Sequence, residues 1–199
     1  IYDTELQNQF FFFFYFEKYP KKCTESLTKF FNQNTDFFNE SQKTELNFAG
    51  QNAIIDGVHL TGKLDLAEID KNNRMIKVTD YKTGSPFKKW GSGSDYEKIK
   101  SHKYKQQLMF YKLMVENSRD YHDFTVNSGV IQFIETTKSG DIVSIESEFD
   151  VQELNNFKKL LQAVWQKVMN LNLPDVSGYD NSIKGILQFE KDLMIEIEN

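Results

Sequence analysis

The chain has 199 residues, 39% hydrophobic and 27% charged, which suits one domain with a single sizeable core. Its formal net charge of -5 argues against indiscriminate coating of nucleic acid, and the lone Cys23 excludes an internal disulfide or a multi-cysteine metal cluster. No run of about 18 apolar residues is present to cross a bilayer, and the Phe-rich stretch Phe10–Phe16 ends at Glu17 and Lys18. With no signal-peptide pattern, a reducing cytoplasm is the default expectation. The first residue is Ile1 rather than Met, so the expectation is a piece of a longer polypeptide.

Taken in order, Asp3–Tyr19 reads as a helix that Pro20 breaks, and Thr24–Ser41 as a short helix plus loop. From Thr44 the period changes to two, with Leu46 and Phe48 alternating against Glu45 and Asn47, the pattern of a half-buried strand. Asp56-Gly57 between Ala53–Ile55 and Val58–Leu66 is a strong hairpin signal. A further strand is expected over Arg74–Thr83. Helical spacing returns through Glu97–Asn117, with Tyr104, Leu108, Tyr111 and Val115 as its apolar stripe. Val126–Thr136 and Ile142–Phe149 read as strands. Asp150 with Glu153 reads as a capping box opening a helix toward Leu171, with Leu154, Phe157, Leu161, Val164 and Val168 on one face. A last helix is expected within Ser182–Glu196. With no repeat and no low-complexity linker, residues 1–199 read as one α/β domain.

The informative strand is Met75-Ile76-Lys77-Val78-Thr79-Asp80-Tyr81-Lys82-Thr83-Gly84. Alternation puts Ile76, Val78, Asp80 and Lys82 on one face, so an apolar row ends in a carboxylate followed by an ammonium. Such groups at the end of a core-facing row are costly unless they pair with each other or with a bound ion. An ordinary Asp–Lys pair at a strand edge would account for these two residues alone. Asp65, in Gly62-Lys63-Leu64-Asp65-Leu66 of the preceding strand, can reach Asp80 across the sheet. Two converging carboxylates repel unless a cation lies between them, and oxygen ligation suits Mg²⁺ or Mn²⁺.

Gly62-x-x-Asp65, then Asp80-Tyr81-Lys82-Thr83-Gly84, then Gln107-x-x-x-Tyr111, resembles the ordered signature of RecB-like PD-(D/E)XK nucleases. The likeness covers roughly Thr44 to Val115. It implies a restriction-endonuclease-like α/β core, a central mixed β-sheet flanked by helices. It also implies a metal-dependent DNA nuclease, an exonuclease by expectation, acting in repair or recombination. Asp65 and Asp80 would hold Mg²⁺ or Mn²⁺ with the Tyr81 backbone carbonyl, and Lys82 would be the catalytic lysine. Gln107 and Tyr111 lie one turn apart and would hold Lys82 or the DNA, though Tyr111 also reads as core. Glu45 matches a recurrent acidic position at the edge of such sites and equally reads as a surface Glu. The run Thr44–Phe48 with Asp56–Asp65 looks like nuclease domains at the C-termini of UvrD-like helicases, which implies an N-terminal motor in the same polypeptide. One departure stands out. Such nucleases usually take a metal-binding His from the helix before the first strand, whereas His59, His102 and His122 all follow Glu45. Either that His precedes Ile1 or the protein lacks it.

The expected partner is DNA, single-stranded or at duplex ends. Lys82, Lys88, Lys89, Lys98, Lys100, Lys103 and Lys105 form a basic island opposed by only Asp95 and Glu97, and Lys88, Lys89, Trp90, Lys103 and Lys105 are the candidate DNA contacts. A solvated lysine-rich loop reads equally well from that segment alone. No phosphate-binding glycine loop is present for ATP hydrolysis. The rival to a nuclease is a non-catalytic module guiding single-stranded DNA, with Trp90, Tyr96 and Tyr104 as stacking surfaces. The converging carboxylates argue against it, and the missing His argues for it.

Overall fold

Asp56 and Gly57 adopt φ of 48° and 81°, the left-handed pair that a two-residue hairpin turn needs, and Gly supplies it without a Cβ penalty. The computed structural model describes residues 24–34, 39–137 and 139–196. The expected Asp3–Tyr19 helix lies outside them. Residues 24–33 are helical (α1). Then come β1 (Gln42–Asn47), β2 (Ala53–Ile55), β3 (Val58–Leu60), β4 (Lys63–Asp70) and β5 (Met75–Lys82). They are followed by α2 (Asp95–Glu116), β6 (Thr125–Phe133), β7 (Ser144–Ser147), α3 (Val151–Met169) and α4 (Ile183–Ile195).

The central sheet has the order β1-β4-β5-β6-β7 and is mixed, so the expected α/β architecture is present. β5 and β6 run parallel, and α2 is the crossover that a parallel pair requires. The other neighbours are antiparallel. The apolar core gathers Ile76 and Val78 of β5, Leu108 and Met114 of α2, and Ile131 and Phe133 of β6. No described helix is long and apolar enough to cross a membrane.

Three expectations need correction. Val58–Leu66 is not one strand: it breaks at Thr61-Gly62, where the Gly62 carbonyl accepts from Phe48 N, and β2–β3 forms a two-stranded sheet of its own. The predicted α3 face is also partly wrong, since Val164 and Val168 are 44% and 50% exposed. Leu154 and Phe157 of that face are buried as expected, Ala163 outside it is buried as well, and Trp165 stacks on His59 of β3 at 5.8 Å. Finally, Asp150 caps α3 by accepting from Glu153 N at 2.9 Å, but Glu153 does not complete the box, because its carboxylate pairs with Lys105 of α2. The complete capping box opens α2. There Ser94 Oγ accepts from Glu97 N and Glu97 Oε2 accepts from Ser94 N, an arrangement that the Gly/Ser-rich approach conceals.

Candidate active site

The β4–β5 ladder runs from Asp70↔Met75 to Leu66↔Thr79. One residue beyond its last pair come Asp65 on β4 and Asp80 on β5, at the open end of the hairpin. Ala67↔Val78 and Ile69↔Ile76 fix the shared face, so alternation carries Asp65, Asp80 and Lys82 onto the side that faces α2. Tyr81 projects the other way, where its ring meets Phe30 of α1 edge-on at 5.9 Å. The Tyr81 main chain still belongs to the site, because its amide donates to Asp65 Oδ2 at 2.9 Å.

Asp80 is 2% exposed. Its Oδ1 accepts from Gln107 Nε2 at 2.7 Å and from the Tyr111 hydroxyl at 2.9 Å. Its Oδ2 is buried and pairs with the Lys82 ammonium 2.5 Å away. Burial pushes the Asp80 carboxyl above the usual carboxylate range and the Asp65 charge adds to the push, while Lys82 and Tyr111 pull it back. Burial and the Asp80 charge likewise push the Tyr111 phenol far up, so it remains a donor at any working pH.

Lys82 is oriented on three sides. Its Nζ donates to Gln107 Oε1 at 2.8 Å, pairs with Asp80, and lies 4.7 Å from the centre of the Tyr104 ring. Gln107 therefore spends both ends of one amide here, the oxygen on the lysine and the nitrogen on Asp80 and Tyr111. Residues 104, 107 and 111 recur at helical spacing, so one face of α2 carries Tyr104, Gln107 and Tyr111 into the site. The five residues expected from the sequence, Asp65, Asp80, Lys82, Gln107 and Tyr111, thus come together. Tyr111 is at once core, at 7% exposure, and hydrogen-bonded to the carboxylate.

The remaining candidates are spread out. Glu45 has φ of 54°, is exposed and pairs with Lys63 rather than with Asp80. Lys88 and Lys89 are exposed on the loop after β5, and Lys103 is exposed on α2. A groove of about 550 Å³ opens beside Lys103, with Lys82, Tyr104 and Gln107 in its wall. Trp90 is tied down: its indole N–H donates to the Glu146 carbonyl at 2.8 Å and its ring meets Phe87 edge-on at 5.6 Å. Lys105 is paired with Glu153, and His102 Nε2 lies 2.9 Å from Glu190 Oε1 of α4, so neither points freely at a ligand. The larger cavity near the Asp70 turn, lined by Glu40, Glu68, Asp70 and Lys71, is remote from this chemistry.

A divalent metal fits the donor set. Among the described residues no group of three or more His, Cys, Asp or Glu converges. Two carboxylates act on each other electrostatically, Asp65 raising the Asp80 pKa, and Asp80 Oδ2 meets the Lys82 ammonium. Mg²⁺ is typically held by one or two carboxylates and keeps several waters, so two carboxylates and a main-chain oxygen suffice. Asp65 and Asp80 would be the holders.

In sequence, no curated protein matches this chain. Among solved structures it is similar to one titled "Crystal structure of SSO0001", at 14% identity and a TM-score of 0.37, over 75% of this chain and 68% of that one. The family model described as the PD-(D/E)XK nuclease superfamily matches residues 4–180, and the chain belongs to that superfamily.

Proposed function

We propose that this chain is a Mg²⁺- or Mn²⁺-dependent deoxyribonuclease of the RecB-like type, in which Asp65 and Asp80 hold the metal and Lys82 is the catalytic lysine. The observation that carries the reading is the cluster at the open end of the β4–β5 hairpin, where the buried Asp80 carboxylate is held by Gln107 and Tyr111 on one oxygen and by the Lys82 ammonium on the other, with the Asp65 charge acting on it.

When bound, a divalent cation would polarise a phosphoryl oxygen and lower the pKa of a water at the phosphate. The protein's own groups do the rest. Gln107 and Tyr111 fix the Asp80 carboxylate in one orientation through Oδ1, so that Oδ2 is the oxygen a cation would share with the Lys82 ammonium. Gln107 also keeps the Lys82 ammonium beside that oxygen, where it can neutralise charge that develops on the phosphate. Tyr104 forms the apolar underside of the ammonium, which lowers the local dielectric and strengthens its field. The exposed Lys103 lines the groove and would take the DNA backbone there, with the exposed Lys88 and Lys89 of the loop after β5 as further phosphate contacts.

Beyond this chemistry we place the activity at DNA ends, as an exonuclease in repair or recombination. The chain is read as one domain, attached to an N-terminal UvrD-like helicase motor that delivers the strand and working in the cytoplasm. Support for that finer placement is the ordered likeness over Thr44–Val115.

The test is degradation of end-labelled single- and double-stranded DNA with Mn²⁺ or Mg²⁺, comparing the chain with its Lys82→Ala variant. Metal-dependent cleavage in the first and none in the second is the expected outcome. DNA binding without cleavage, in a chain extended N-terminally as well as in this one, would assign it instead as a strand-guiding module.

A further inference from the structure

Lys100 is a second lysine at the edge of this centre, and the roles above leave it unused. Its Nζ donates to the Ser85 carbonyl at 2.7 Å, in the loop that leaves β5 just after Lys82. The same ammonium lies 5.7 Å from the centre of the Tyr104 ring and 5.4 Å from that of Phe133. Tyr104 is the ring on which Lys82 also rests. A Cβ added at Gly84 would come within 3.2 Å of Lys100 Nζ and meets nothing else. Gly84 does not have a positive φ, and the Lys100 ammonium is the one group that a side chain there would press upon.

We propose that Lys100 is a positioning residue: seated in the space left by Gly84, its ammonium clamps the loop at Ser85 and fixes the Tyr104 ring under Lys82. This rests on the nuclease reading for its consequence in catalysis, but not for the clamp itself. Partial burial depresses the Lys100 pKa, with Lys82 adding to the effect and Glu135 and Glu97 opposing it. A lysine whose protons are directed at a main-chain carbonyl and two ring faces is poorly placed to act as a freely mobile phosphate contact.

The experiment compares the full chain with Lys100→Ala, Gly84→Ala and the double variant. One readout is kcat and KM for DNA cleavage, and another is the salt dependence of DNA binding. The third is hydrogen–deuterium exchange over residues 83–91 in metal-free protein. We expect Lys100→Ala to lower kcat about tenfold, since small misplacement of a reacting group is costly, with KM and the salt slope unchanged and exchange in the loop faster. Gly84→Ala produces a smaller change of the same kind and adds nothing when Lys100 is already absent, because the two act on one contact. A raised KM with a salt slope shallower by about one would overturn the proposal in favour of a phosphate contact. Unchanged exchange, or additive effects of the two substitutions, would also overturn it. If the unsubstituted chain does not cleave DNA, the nuclease reading fails by itself. Loop exchange then decides the clamp alone: faster exchange in Lys100→Ala supports it, and unchanged exchange removes it.

Discussion

The β4–β5 hairpin carries an aspartate toward each of its ends, Asp70 at the closed turn and Asp80 at the open end, and the two are held in opposite ways. Asp70 is exposed and satisfied locally. Its Oδ1 accepts from the amides of Asn72 and Asn73 and its Oδ2 from the Asn73 side chain, all within three residues. Those hydrogen bonds hold its carboxyl below the usual range. Asp80 is buried, and its partners Gln107 and Tyr111 lie 27 and 31 residues away. Its carboxyl is pushed up by burial, and its Oδ2 pairs with the Lys82 ammonium. Asp70 shapes a turn, in the manner of an Asx cap. Asp80 is desolvated and held by distant partners, the environment in which the proposed cation-binding role would be played.

The largest effect expected from this contrast is on cleavage. Asp80→Ala and Lys82→Ala should each reduce DNA cleavage by about 10²–10³-fold or more, whereas Asp70→Ala should leave the rate per folded molecule unchanged. Lys82→Ala should also retain metal binding that Asp80→Ala loses, measured by Mn²⁺ titration. An equal loss of cleavage at Asp70 would break the comparison.

Next comes Tyr111→Phe, which removes one of the two donors to Asp80 Oδ1. A hydrogen bond to a charged group is worth about 1.5–3 kcal/mol, so urea unfolding should show a loss near the lower end of that range, since Gln107 Nε2 still donates. Cleavage should fall less than in Asp80→Ala.

A smaller effect separates the two aspartates by pH, measured by urea melts in EDTA against the Asn variant of each. The Asp80 carboxyl is raised in the fold, so the folded protein holds its proton more tightly than the unfolded chain does. Relative to Asp80→Asn, the stabilisation is fully present below the unfolded value of 3.8 and is lost as pH rises through the raised folded value. Asp70 has the opposite sign. Its contribution relative to Asp70→Asn is present above 3.8 and lost as pH falls through its lowered folded value. Parallel slopes in the two series would remove the electrostatic basis of the contrast.

The smallest change is expected on α3, away from both ends. Val168→Ser, at a half-exposed position, should alter stability by no more than about 0.5 kcal/mol, whereas Phe157→Ala, in the core, should cost about 3–5 kcal/mol. Thermal or urea melts distinguish them, and comparable losses would restore the α3 face expected from sequence.

Much of this centre was legible in the chain because its signals are local. Period-two alternation put Asp80 and Lys82 on one face. Asp56-Gly57 fixed a turn by its φ demands, and the four-residue spacing of Gln107 and Tyr111 fixed a helix face. Where the reading failed, the competing signal lay elsewhere in the chain. Val164 and Val168 continue the apolar stripe of Leu154, Phe157 and Leu161, and the elements packed on α3 (α4, α2 and the β2–β3 hairpin that brings His59 to Trp165) settle which side is covered. Glu153 has the spacing of a capping-box residue, but Lys105, 48 residues earlier, draws its carboxylate away.

What the sequence determined by itself was most of the strands and helices among the described residues, the face on which the charged residues stand, and the order of the motif residues, since these follow from backbone periodicity and turn chemistry over a few residues. The tertiary structure alone decided the partners. It turned the Gln107 amide to bridge Asp80 and Lys82, tied Trp90 to β7, and brought Lys100 against Ser85 through the gap at Gly84. Each of those contacts joins residues ten or more positions apart, and side-chain partners at such separations are chosen by how sheet and helices pack rather than by any pattern along the chain.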